Sequence, residues 1–324
     1  MDLNSFPIVF MALLIMSCSV SVQAPAPALE ESFYNHEGVK IRFKEMGQGR
    51  PVVFIHGFGA SLDTWRYITD SLKVDHRLVL LDLKGHGFSD RPPDEKYSLK
   101  EHADIVLGLI HHLGLKDVVL VGHSLGSIVA VVAALQASES RDLNITGLVV
   151  IDGALNPEYV PVFLHLLRVP VLGWLSVKLT TAPFRTRLML RRAFYDDSKI
   201  TDDLVELYAK YQRIPGTEHA MIATARQMVP ENFTLLKEKL AALTIPVLNI
   251  WGEQDVIVKR PGAESVCKIL PRCRLVAVAD SGHIPQEEAP AKVIPLFREF
   301  LDQLPHGAST GALPQSLLSI GPKN

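Results

Sequence analysis

Val118-Val119-Leu120-Val121-Gly122-His123-Ser124-Leu125-Gly126-Ser127-Ile128-Val129-Ala130 is the stretch that decides how this chain folds. Its opening apolar run reads as a strand covered on both faces. Residues 128–135 are apolar nearly all round, which predicts a helix packed deep against a sheet. Between the two stands a serine flanked by glycines. A strand that turns sharply into a helix strains the backbone at its tip and brings neighbours close, so small residues are needed on either side. The same turn places Ser124 at a helix N-terminus, where free amides and the helix dipole favour developing negative charge. A bare Gly-x-Ser-x-Gly says little. With a strand before it and a helix after it, the pattern points to a nucleophile.

Working outward, the strand has companions. Val39-Lys40-Ile41-Arg42-Phe43 alternates as a half-buried strand does. Pro51-Val52-Val53-Phe54-Ile55, Leu78-Val79-Leu80-Leu81, Leu148-Val149-Val150-Ile151, Val247-Leu248-Asn249-Ile250 and Leu275-Val276-Ala277-Val278 are buried-strand runs. Helical spacing separates them: Leu62, Trp65, Ile68 and Leu72, then Leu99, Val106, Leu109, Ile110 and Leu113, and finally Val293, Phe297, Phe300 and Leu304. Strand and helix in alternation predict an α/β fold, a mostly parallel, doubly wound sheet. The alternation breaks at residues 154–243, which are expected to form a helical cap inserted into the core. The core then comprises residues 33–153 and 244–305. The Gly-, Pro- and Ser-rich tail, residues 306–324, is expected to be disordered.

The chain has 324 residues, 48% hydrophobic and 21% charged, with a formal net charge of -2. That is globular, and it leaves no basic footprint for nucleic acid. The apolar run of residues 6–16 is too short to span a bilayer, which takes roughly 20 residues. Followed by Val22-Gln23-Ala24, it reads as a signal peptide over residues 1–24, with residues 25–32 as a spacer. The reading implies export to a periplasm or exterior. Asp2, in place of a basic residue, argues against it. Ile15-Met16-Ser17-Cys18 also resembles a lipobox, which would tether the protein to a membrane through acylated Cys18. Cys267 and Cys273 are left for the mature chain, either bridged or free. No Cys or His spacing suits zinc.

The chain resembles the α/β-hydrolase fold family in its compact, capped form. The resemblance rests on five segments in order: His56-Gly57-Phe58-Gly59; Asp82-Leu83-Lys84-Gly85-His86-Gly87-Phe88-Ser89; the glycine-flanked Ser124; Gly252-Glu253-Gln254-Asp255; and Gly282-His283-Ile284-Pro285-Gln286-Glu287-Glu288. It implies an oxyanion hole made by the backbone N–H groups of Phe58 and Leu125, with His56 as a structural imidazole beneath that loop. It implies His283 as base, since His283 alone follows the last strand in a Gly-His-x-Pro turn. His123 is expected to diverge from its neighbour Ser124, His111 and His112 to be solvated, and His86 to lie near the site without touching the chemistry.

The base needs a carboxylate to hold its tautomer. Asp255 gives the chain order Ser, Asp, His that the fold requires. Asp152, at the end of the strand after the elbow helix, competes for the role. Asp280 is expected to face away. The resemblance implies an acyl-enzyme mechanism with no metal or organic cofactor. Epoxide- and halide-cleaving relatives carry aspartate where this chain has Ser124. Esters, thioesters, amides and diketone carbon–carbon bonds remain. The elbow sequence favours an apolar or lipid-like carboxylic ester. A carbon–carbon hydrolase and a ligand receptor on the same scaffold are the alternatives. Phe163, Leu164, Leu166, Leu167, Val171, Leu172, Trp174 and Leu175 would line an acyl channel, touch lipid, or simply pack the cap.

Overall fold

The computed structural model describes residues 31–140, 143–159, 164, 179–229 and 232–305. The expected signal peptide, Cys18, most of the spacer, the tail and most of the apolar stretch between 159 and 179 lie outside the described residues.

Eight strands form one sheet: β1 (Ser32–His36), β2 (Val39–Met46), β3 (Arg50–Ile55), β4 (His76–Leu81), β5 (Val118–His123), β6 (Ile145–Ile151), β7 (Val247–Gly252) and β8 (Cys273–Val278). Their order is β1-β2-β4-β3-β5-β6-β7-β8. β1 and β2 run antiparallel, as do β2 and β4; every later pairing is parallel. The mostly parallel sheet was expected, but β1 was not. Its hairpin to β2 turns through Glu37 and Gly38, both at positive φ (50° and 89°), the geometry of a primed two-residue turn. Glutamate seldom signals such a turn, so the sequence hides it. Ser32, assigned to the spacer, already lies in this strand. Glu31 before it reaches Arg42 at 2.5 Å.

The two faces are covered differently. One packs α2 (Leu99–His112), α3 (Leu125–Ser140) and α8 (Arg260–Ile269). The other packs α1 (Arg66–Leu72) and α9 (Pro290–Gln303), with Trp65, Phe54 and Phe297 at its centre. A disulfide joins Cys267 of α8 to Cys273 of β8, resolving the bridged-or-free alternative. Among the described residues of 154–243 there is no strand. They hold α4 (Ala182–Ala193), α5 (Asp202–Gln212), α6 (Thr217–Gln227) and α7 (Phe233–Ala241). α4 and α5 share a small core of Leu190, Phe194, Leu204 and Val205 with Ile284. No described helix is long and apolar enough to cross a membrane.

Because β3 to β8 run parallel, their C-terminal ends collect along one edge of the sheet. Ser124 follows β5, Asp152 follows β6, Asp255 and His283 follow β7 and β8, and Phe58 follows β3. The open α/β sheet presents its ligand-binding edge there.

Candidate active site

The elbow is held by close backbone approach. Ser124 sits at φ 51°, and its amide donates to the Ile151 carbonyl at 2.8 Å. A Cβ on Gly122 would lie 2.2 Å from the Gly126 carbonyl oxygen, and one on Gly126 would lie 2.1 Å from that of Ile55. Neither contact is tolerable, so glycine is required on both sides of the serine. Ser127 adds a stitch, donating to the Gly122 carbonyl at 2.7 Å and accepting the Ile151 amide at 3.2 Å.

His283 Nε2 lies 3.0 Å from Ser124 Oγ, and its Nδ1 lies 2.7 Å from Asp255 Oδ2. Oδ1 of Asp255 accepts the Ile257 and Val258 amides at 2.7 and 3.0 Å. The loops after β7 and β8 are zipped together: the Gln254 amide donates to the Ser281 carbonyl at 2.9 Å, and the Ser281 amide donates to Gln254 Oε1 at 3.0 Å. Two strands thus deliver one acid and one base as a unit. A serine hydroxyl, an imidazole and a carboxylate in this chain form a nucleophile–base–orienter arrangement.

Asp152 also reaches the site. A carboxylate oxygen of Asp152, one of Asp255 and a ring nitrogen of His283 lie within 4.8 Å of one another. The direct partner of His283 is nevertheless Asp255. Asp280 is exposed, pairs with Lys292 at 3.0 Å and takes no part.

Phe58 and Leu125 line the cavity beside Ser124, and neither backbone amide has an acceptor among the described residues. Beneath them, His56 Nε2 accepts the Leu83 amide at 3.0 Å while its Nδ1 donates to the Gly57 carbonyl at 2.8 Å. Burial pushes this imidazole down to about 4, so it is neutral and structural. His86, 5.4 Å from the His56 ring centroid, is pushed down to about 3 by burial and by His56. His111 and His112 are exposed.

Three residues near the site carry roles that their sequence positions did not suggest. His123 turns away from Ser124, and its Nε2 donates to the His283 carbonyl at 2.7 Å. Glu288, fully inside, accepts the Gly282 amide at 2.6 Å and the Tyr195 and Asp196 amides at 2.9 and 2.7 Å. The His283 amide itself donates to the Ala193 carbonyl at 2.6 Å. The base loop is therefore fastened to the end of cap helix α4. Glu287 makes a second fastening, accepting from Thr64 at 2.5 Å, from Arg66 at 2.6 Å and from Tyr208 of α5.

The serine opens into a cavity of about 580 Å³ between sheet edge and cap. Ile128, Leu164, Leu190, Met221, Met228 and Ile284 make its wall largely apolar. Leu164 is the one residue of the expected acyl-channel set that lies among the described residues.

The family model described as "alpha/beta hydrolase fold" matches residues 50–290. The chain is 27% identical over 282 residues to the dihydrolipoyllysine-residue acetyltransferase component of the acetoin cleaving system of Pseudomonas putida, covering 86% of this chain and 70% of that protein. It is 29% identical over 294 residues to the mesoderm-specific transcript protein of Mus musculus, covering 83% and 85%. Among solved structures it is similar to a meta-cleavage product hydrolase from Pseudomonas fluorescens, with TM-score 0.70, 25% identity and coverage of 84% and 97%. An epoxide hydrolase shares the fold at TM-score 0.72 and 22% identity, covering 85% and 99%. Matched over well more than half of its length, the chain belongs to the α/β-hydrolase fold family.

Proposed function

We propose that this protein is a serine hydrolase that cleaves a carboxylic ester of apolar or lipid-like character through an acyl-enzyme. The observation that carries the reading is the continuous hydrogen-bonded line from Ser124 Oγ through His283 to Asp255, at 3.0 and 2.7 Å. In this reading His283 Nε2 takes the Ser124 proton as Oγ attacks the ester carbonyl. Asp255 holds Nδ1–H and stabilises the imidazolium that forms. The carbonyl oxygen becomes an oxyanion, received by the Phe58 and Leu125 N–H groups. Such paired donors are worth on the order of a hundredfold in rate or more. Collapse expels the alcohol, which takes the proton from Nε2 and leaves Ser124 acylated. Water then attacks the acyl carbon, losing a proton to His283; the C–Oγ bond breaks, Ser124 Oγ takes that proton from Nε2, and the carboxylic acid leaves. No step calls for a metal or an organic cofactor.

The apolar wall of the cavity supports an apolar acyl group, and its volume accommodates a medium chain. A carbon–carbon hydrolase is the second reading, favoured by the likeness to a meta-cleavage product hydrolase at 25% identity. A p-nitrophenyl ester series of increasing acyl length, run beside a vinylogous diketone substrate, separates the two. Ester turnover that peaks at medium length and disappears in Ser124→Ala supports the first. Turnover of the diketone alone contradicts it.

Export to an oxidising compartment belongs to the same proposal. The Cys267–Cys273 disulfide supports it, since such bonds persist in oxidising surroundings. Mass spectrometry of the mature N-terminus distinguishes cleavage after Ala24, acylation of Cys18 and retention of the segment.

A further inference from the structure

We propose that Asp152 is a protonated carboxylic acid that donates its hydrogen to the Asp255 carboxylate, making it a positioning residue behind the base. The proposal rests on the reading of Ser124, His283 and Asp255 as a catalytic unit. It adds a fourth member that works through Asp255.

Asp152 is 0% exposed. Its Oδ1 accepts the Gly252 amide at 2.9 Å, but Oδ2 receives no hydrogen bond from a donor among the described residues. A buried carboxylate oxygen left without a donor costs free energy, and the cost is larger for a charge than for a neutral group. The nearest polar groups are themselves unsuited to repair it. Asp255 lies within 4.8 Å, its Oδ1 already takes two amides, and its Oδ2 takes His283 Nδ1–H. Two buried carboxylates side by side, both ionised, would repel. Placing one proton on Asp152 removes the second charge. It also turns an acceptor without a donor into a donor beside an anion, and a charge-assisted bond between the two is of the stronger kind.

The proton belongs on Asp152 rather than on Asp255 because the donors are unequal. Asp255 receives two backbone amides and an imidazole N–H, whereas Asp152 receives one amide. Donors stabilise the charged form, so the proton goes to the carboxyl with fewer of them, Asp152. Burial and the neighbouring Asp255 push the Asp152 carboxyl well above the usual range, and Glu288 adds to the effect. His283, Asp255 and Glu288 are the titratable groups that bear on it. The backbone is shaped for the purpose as well: Asp152 sits at φ 46°, in the left-handed region that aspartate and asparagine tolerate better than most residues.

Infrared spectroscopy of the full protein with isotopically labelled aspartate tests this without reference to turnover. At neutral pH the wild type should show the carbonyl stretch of a protonated carboxylic acid that is missing from Asp152→Asn. Absence of that band overturns the proposal. In Asp255→Asn the band should move, because a neutral amide replaces the charged acceptor; an unmoved band overturns the pairing. Kinetics supply the second arm. Asn keeps a donor and an acceptor, so Asp152→Asn should hold kcat within about threefold, while Asp152→Ala should lose roughly tenfold or more in kcat at unchanged KM. Failure of Asn to rescue also overturns the proposal. So does a stoichiometric divalent cation in the purified protein whose removal abolishes activity, since a cation would bridge two ionised carboxylates. A fluorophosphonate that leaves Ser124 unlabelled would sink the hydrolase reading while leaving the infrared result intact.

Discussion

Glu288 accepts the Gly282 amide at 2.6 Å, and through that bond a buried carboxylate holds the residue preceding His283. The same carboxylate takes the Tyr195 and Asp196 amides of the cap. Cap and base loop therefore share one fastening. Glutamine at this position would present an NH₂ where only acceptors fit. Glu288→Gln should lower kcat by about tenfold to a hundredfold, the scale of an ångström-sized misplacement, with the sheet still folded by circular dichroism. Wild-type kcat in this variant would show that the fastening does not set the base.

The sheet edge and its five motifs were legible because they rest on local chemistry. A buried-strand run, a glycine-flanked serine and a Gly-His-x-Pro turn each announce themselves within a few residues. What stayed hidden depends on partners far away in sequence. The Tyr195 amide reaches Glu288 across 93 positions, and the Gly252 amide reaches Asp152 across 100. Nothing near Glu288 tells a reader that three amides will converge on it. Asp152 and Asp255 looked like rivals for one role, since either could follow a strand at this edge. Only the three-dimensional arrangement separates the partner of His283 from the neighbour of that partner. β1 was missed for a different reason: its turn uses a glutamate at positive φ.

Asp82 anchors the loop after β4. Its carboxylate accepts the Leu62 and Phe88 amides at 2.7 and 2.8 Å and pairs with buried Arg42 at 3.1 Å. A Cβ on Gly87 would fall 1.9 Å from its Cγ, which explains the glycine in the motif. Asp82→Ala leaves two amides without their acceptor and buried Arg42 with only the half-exposed Glu31 as a counter-ion. It should destabilise the protein by about 3–5 kcal/mol, measured as a lower urea midpoint. A midpoint unchanged from wild type would refute this account of the loop.

Buried histidines set the acid response. His56, His86 and His102 are pushed down from 6.5 to about 4, 3 and 3, with burial the first cause in each. Below 6.5 the unfolded chain binds protons that the folded chain refuses. Stability is therefore present above 6.5 and is lost as pH falls toward the folded values. Asp152 acts in the opposite sense, binding its proton more readily when folded, so it offsets part of the loss at the acid end. Neither ring nitrogen of His102 has a hydrogen-bond partner among the described residues. His102→Leu should thus be neutral or stabilising by about 1 kcal/mol near pH 7, and should lose less stability than wild type on going to about pH 5. Urea titrations at the two pH values would show it; an equal or steeper loss in the variant would contradict the assignment.

Asp255→Asn keeps the shape of the acid but offers His283 Nδ1 either a weaker acceptor or a competing donor. A fall in kcat of roughly 10⁴, with ester KM little changed, is expected. A loss of less than about tenfold would mean that Asp255 does not orient the base.

The most direct test of the central claim is labelling of the intact protein with a fluorophosphonate, followed by peptide mass spectrometry. The account predicts one adduct per chain, on Ser124, formed rapidly in the wild type and slowly or not at all in His283→Ala. An unlabelled Ser124 in folded protein, or equal labelling with and without His283, would contradict it.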